Sequence, residues 1–257
     1  MSMEFKDILY EKKDGIGFIT LNRPKVMNCL GKLTISELYS VFNEADMDDD
    51  VKVLVITGAG SVFCAGDDIS EFQTFTLAKG RALGRNFVGL MLLIEKLSKP
   101  VIAAVNGAAL AGGFELALAC DITIASDKAL FGLPESKVGA VAGFAAVRLP
   151  QIIGVKKARE LLFTADVIDA KEAERLGLVN KVVPAEELQS ATRAMAEKIM
   201  QAAPISLWLS KNICSGLAGG QEMAFSSGGT VLMFGTEDFK EGFSSFLQKR
   251  KPQFKGK

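Results

Sequence analysis

Two glutamates stand out by the company they keep. Glu115 lies in Ala109-Leu110-Ala111-Gly112-Gly113-Phe114-Glu115-Leu116-Ala117-Leu118-Ala119-Cys120-Asp121, one turn into an otherwise apolar helical stretch that opens on two glycines. Glu135 sits in Phe131-Gly132-Leu133-Pro134-Glu135-Ser136-Lys137-Val138-Gly139, again among apolar neighbours. A carboxyl group buried without a partner is hard to ionise, and its raised pKa suits proton exchange near neutral pH. The chain contains no histidine, so an imidazole shuttle, a Ser-His-Asp relay and a histidine zinc site are all excluded. Acid–base chemistry then falls to carboxylates, Lys, Tyr or Cys. Gly112, at the start of that helix, exposes free N–H groups to a ligand oxygen. A third segment, Val62-Phe63-Cys64-Ala65-Gly66-Asp67-Asp68-Ile69, makes a tight glycine turn after a core strand. Plain structural readings stand beside these: an ion pair or helix-start charge for Glu115, a salt bridge to Lys137 or Arg148 for Glu135, and a simple loop for 62–69.

Composition frames the chemistry. The chain has 257 residues, 49% of them hydrophobic, with 30 Lys+Arg against 30 Asp+Glu. At roughly 150 residues per domain that is one large or two small domains with an ample core. Zero net charge supplies no long-range attraction to nucleic acid or an anionic membrane. Cys29, Cys64, Cys120 and Cys214 form no Cys-x-x-Cys pair, which suits reduced thiols in a cytoplasmic compartment. The N-terminus shows no targeting pattern. The most membrane-like window, Val101 to Phe114, ends at Glu115 and is too short to span.

The elements that must hold these groups alternate. Ile8–Glu11 and Ile16–Leu21 flank a Lys12–Gly15 turn, a hairpin signal. A helix over Leu33–Asp46 and an apolar strand over Val53–Thr57 follow, the strand of the kind covered on both faces. Next come a helix through Phe87–Leu97, a strand over 100–105, the Asn106-Gly107 turn, the helix ending near Cys120, and strands over 121–126 and 130–132. This order predicts an α/β layered fold. From about Ala196 the pattern is helical only, with Pro204 marking a start. Gly58-Ala59-Gly60 lacks the third glycine and the following helix of a dinucleotide-binding turn, and no Walker A or nucleophile-elbow sequence occurs.

Taken together, Asn22-Arg23-Pro24-Lys25, Phe63–Ile69, Gly112-Gly113-Phe114-Glu115-Leu116-Ala117, Pro134-Glu135, Arg148-Leu149-Pro150, Gly177-Leu178-Val179 and the ending Glu241-Gly242-Phe243…Phe246-Leu247-Gln248-Lys249-Arg250 run in an order that resembles the enoyl-CoA hydratase/isomerase (crotonase) superfamily. The resemblance covers essentially the whole chain. It implies an α/β fold with a ββα superhelix core over residues 1–195 and a C-terminal helical region over 196–257, used for trimerisation and for closing the CoA site. It also implies a homotrimer or a dimer of trimers.

The implied substrate is an acyl-CoA thioester, with no metal and no cofactor beyond the CoA it carries, and with no nucleic-acid or membrane partner. Glu115 and Glu135 match the two glutamates of the hydratases, implying addition of water across a C2=C3 double bond. The backbone N–H groups of Asp67 and Gly112 match the oxyanion hole. An Asp side chain at 67 is unusual there and is tolerated if it points away. Lys25, Val26 and Ala65 match CoA-binding positions, and Phe254 and Lys255 of a neighbouring subunit match residues closing over the phosphates. The stretch 139–148 reads as a shortened loop without paired glycines, placing Phe144 in the acyl pocket and pointing to a branched, cyclic or dienoyl substrate. An enoyl-CoA isomerase is the alternative.

Overall fold

The computed structural model describes residues 5–74, 77–215 and 235–257, with side chains omitted at 72–83, 215, 243 and 246. The stretch 216–234 of the predicted helical region, the first four residues and the Phe243 and Phe246 side chains lie outside the described residues. The chain opens with the hairpin β1 (Ile8–Lys13) and β2 (Ile16–Leu21), followed by α1 (Lys32–Met47). Three strand–strand–helix units come next: β3 (Val53–Gly58), β4 (Val62–Cys64) and α2 (Leu77–Lys96); β5 (Val101–Val105), β6 (Ala108–Leu110) and α3 (Gly112–Ala119); β7 (Ile122–Ser126), β8 (Leu130–Gly132) and α4 (Gly143–Ile153). After these run α5 (Val155–Thr164), β9 (Val167–Asp169), α6 (Ala170–Arg175), β10 (Lys181–Val183), α7 (Leu188–Ile199), α8 (Pro204–Ser215) and α9 (Glu237–Leu247).

Each unit places its first strand in one sheet and its second in another. The larger sheet has the order β1-β2-β3-β5-β7-β10 and the smaller β4-β6-β8-β9. Apart from the β1–β2 and β8–β9 pairs, all neighbours run parallel. The chain therefore coils, one ββα unit per turn, and corresponding strand ends line up from turn to turn.

Burial follows that coil. Alternate residues of the larger sheet, among them Leu54, Ile56, Ala103, Val105 and Ala125, face the main core. The others, Val53, Val55, Ile102, Ala104 and Ile124, pack beneath Leu188 and Ala196 of α7. Both faces are covered, which is why these strands read as continuous apolar runs. At the end of α3, Asp121 accepts hydrogen bonds from Val101 N–H and from the buried Lys211 ammonium, which also donates to the Ile94 and Lys99 carbonyls. This clamp ties α3 to the strand beside it and to α8.

Helix α7, Leu188–Ile199, runs across residue 195. The 139–148 stretch is not a loop throughout, because α4 starts at Gly143. Strand β4 follows Gly58-Ala59-Gly60 where a dinucleotide fold would place a helix.

Candidate active site

The site lies where the three parallel strands of the smaller sheet end. Cys64 pairs with Ala109, and Leu110 with Gly132, so the residues just beyond β4, β6 and β8 are neighbours. Those residues are Gly66 and Asp67, then Ala111 to Glu115, then Pro134 and Glu135. The Ala111 N–H donates to the Gly132 carbonyl at 2.9 Å, which holds the last two exits side by side.

Two close approaches set the geometry of α3. A Cβ on Gly113 would stand 2.1 Å from the Cys64 carbonyl oxygen, so only glycine lets the helix start against β4. Gly66 has φ +105°, and a Cβ there would be 2.6 Å from the Ala111 Cβ and 3.3 Å from Gly112 N. Ala111 itself is held at φ 49°, ψ −127°, a sparsely populated conformation for a side-chain-bearing residue and the kind of strain that collects at functional sites. It turns β6 directly into α3, leaving the first N–H groups of the helix aimed outward with the positive end of its dipole.

Glu115 is 4% exposed. Its Oε1 accepts from the Ala145 N–H of α4 at 2.7 Å, and among the described residues it has no cation. Burial pushes its pKa up to about 7, reinforced by the charges of Glu135 and Asp67 and opposed by the Ala145 N–H. The ion-pair reading of Glu115 is thereby removed. Glu135, in the short 3-10 turn Pro134–Val138, is half-buried, and its Oε2 is buried without a hydrogen-bond partner among the described residues. Desolvation raises its pKa as well. Neither proposed salt-bridge partner reaches it: Lys137 donates to the Ala165 carbonyl, and Arg148 forms a bidentate pair with Glu95.

These shifts make a prediction about stability. Glu115 ionises at about 7 in the fold against 4.5 ordinarily, so the stability it allows is complete below pH 4.5 and is lost as pH rises to about 7. The loss is of order 3 kcal/mol. Glu115→Gln, which keeps an acceptor for Ala145, is expected to raise the urea midpoint relative to the parent at pH 8 and to leave it unchanged at pH 4.

The Asp67 side chain lies beside the start of α3: Oδ1 is 3.5 Å from where a Cβ on Gly112 would stand, and it is buried with no hydrogen-bond partner among the described residues. Burial pushes this carboxyl up to about 6. Its neighbour Asp68 behaves oppositely, held below the usual range by Ser70 and by Arg23.

The segment 22–30 closes against this site. The Leu30 N–H donates to the Gly66 carbonyl, Asp68 N–H to the Leu30 carbonyl, and Ala65 N–H to the Met27 carbonyl. The buried Asn28 side chain ties the loop to the Ala59 and Val62 carbonyls. Lys25 and Val26 are thus brought beside Ala65, with Val26 and Lys25 exposed.

Phe254 and Lys255 are elsewhere. They line a groove with Val53, Pro100, Pro204 and Trp208, at the N-terminal ends of β3 and β5, whereas Ala65 and Asp67 follow the C-terminal end of β4 in the smaller sheet. The two sets do not meet within one chain. Phe144 is buried in the main core with the Arg148 guanidinium 5.6 Å above its ring. What the shortened stretch delivers to the site is a backbone donor, Ala145 N–H, which side-chain motifs did not reveal. A helix start within three residues of a buried carboxylate's reach is the signal that could have found it.

The chain matches the family described as enoyl-CoA hydratase/isomerase over residues 11–257. It belongs to that family. Among its relatives, the short-chain-enoyl-CoA hydratase of Clostridium acetobutylicum is 42% identical, with 97% of each chain covered. The crotonyl-CoA hydratase of Syntrophomonas wolfei is also 42% identical, covering 98% of this chain and 99% of its own. In structure, the enoyl-CoA hydratase of Bacillus anthracis superposes with a TM-score of 0.93 at 34% identity, over 98% of this chain and all of the other. The ββα coil is thus the crotonase fold. Among the described residues no helix is long and apolar enough to cross a membrane.

Proposed function

We propose that this member of the enoyl-CoA hydratase/isomerase family is an enoyl-CoA hydratase acting on a 2-enoyl-CoA. The observation that carries the reading is the pair Glu115 and Glu135, two carboxyls free of cations among the described residues, both with raised pKa, at adjacent strand ends beside the start of α3.

In the proposed reaction the thioester oxygen binds between the N–H groups of Asp67 and Gly112. Glu115 takes a proton from water as the water oxygen bonds to C3. The C2=C3 electrons move toward the thioester, whose oxygen gains negative charge, and one such N–H donor is worth about 2.7–4 kcal/mol in the transition state. Glu135 then delivers its proton to C2. The turnover leaves Glu115 protonated and Glu135 ionised, and solvent resets them. Every group required is a carboxyl or a backbone amide, so no metal or redox cofactor takes part.

Lys25, Val26 and Ala65 bind the CoA arm. Phe254 and Lys255 act on a neighbouring subunit's CoA, in a homotrimer or a dimer of trimers whose contacts come from the C-terminal helices. Phe144 backs the acyl end through the core. Reduced, free cysteines suit a cytoplasmic enzyme. The test offers crotonyl-CoA and its 3-enoyl isomer separately: a hydratase gives 3-hydroxybutyryl-CoA from the first. Interconversion of the two without hydroxylated product would instead establish an isomerase.

A further inference from the structure

We infer that Asp67 works as a neutral carboxylic acid at the oxyanion hole, holding a proton while negative charge develops on the thioester oxygen. The inference rests on the hydratase reading above. Asp67 supplies one of the two backbone donors, and its own carboxyl stands beside the other, with Oδ1 3.5 Å from the Cβ position of Gly112. A carboxylate at this place would set a negative charge beside Gly112, whose N–H is one of the two proposed donors to the new charge. That arrangement opposes the reaction, whereas a carboxylic acid does not and can donate a hydrogen bond.

Among the described residues no cation stands against Asp67. Oδ1 is buried and unpartnered among the described residues. The titratable groups that feel it are Glu115 from α3, Glu135 from the 134–138 turn, and the thiols of Cys64 in β4 and Cys29 in the 22–30 segment. Among the described side chains of α2, the uncharged Phe87 reaches toward Gly112. Of the two cations in the 22–30 segment, Lys25 is exposed and Arg23 is engaged by Asp7, Asp68 and the Cys29 carbonyl. Burial already lifts the carboxyl to about 6, and charge on a bound thioester oxygen lifts it further. The proton comes from solvent and stays on Asp67 through the turnover. The protons that move are those of the water and of Glu135.

The test compares the parent with Asp67→Asn, a neutral side chain of the same shape. With crotonyl-CoA, the ratio of kcat/KM, variant over parent, is expected to rise about tenfold per pH unit above pH 6, because the parent alone must regain a proton. A ratio that is flat or falls with pH overturns the inference. Acetoacetyl-CoA, which ionises to an enolate, provides a reading independent of turnover. Its binding at pH 8, followed by calorimetry in two buffers of different ionisation enthalpy, is expected to take up about one proton more in the parent than in Asp67→Asn. Equal uptake overturns the inference. If no enoyl-CoA is hydrated by either protein but the uptake difference is present, the hydratase reading fails and the neutral Asp67 stands.

Discussion

Glu115→Gln and Glu135→Gln are each expected to lower kcat for crotonyl-CoA hydration by about 10²–10⁴-fold, the range for a positioned acid or base. Glutamine keeps the volume of each side chain, and at 115 it keeps an acceptor for the Ala145 N–H at 2.7 Å, so binding of butyryl-CoA should hardly change. What disappears is proton exchange. The two losses are not expected to multiply in the double variant, because one turnover needs both groups and removing either already stalls it. Stopped-assay kinetics on the three variants, with butyryl-CoA affinity as the control, checks this. A single variant that keeps parental kcat removes that glutamate from the mechanism.

Gly66→Ala should be nearly as damaging, for a different reason. The added Cβ meets the Ala111 Cβ at 2.6 Å and the Leu110 carbonyl at 3.1 Å, and the backbone at 66 has φ +105°. Relief requires the 66–67 turn and the start of α3 to separate, and these carry the two proposed oxyanion donors. Misplacing one donor costs about 10²–10³ in kcat. Crotonyl-CoA kinetics at saturating substrate, with circular dichroism to confirm folding, measures the effect. Parental kcat in this variant would show that the Asp67 and Gly112 amides are not a catalytic pair.

Much of this site could be read from local sequence because its groups sit in local motifs. Gly112-Gly113 before Glu115 announces a helix start against backbone, and Pro134-Glu135 follows a strand. The long strands of the larger sheet declared themselves by unbroken apolar runs. In the smaller sheet only 130–132 reads as a strand: β4, β6 and β9, like β8, have three residues each, too few for a period of two to register. Segment 62–64 read as part of a turn and 108–110 as the approach to a helix. Long-range pairing was equally silent. Nothing local says that Arg148 goes to Glu95, 53 positions away, and not to Glu135, or that Ala145 N–H finds Glu115 across 30 positions. The direction of the Asp67 side chain also depends on contacts beyond its own segment, above all the approach of α3.

The central claim is that this chain adds water across a carbon–carbon double bond, with oxygen going to C3 and a solvent-derived proton to C2. The most direct measurement incubates the enzyme and crotonyl-CoA in water carrying both ¹⁸O and deuterium, and analyses the acyl product by mass spectrometry. The account predicts 3-hydroxybutyryl-CoA bearing ¹⁸O on C3 and one deuterium on C2. Deuterium in an unsaturated product with no ¹⁸O would contradict it.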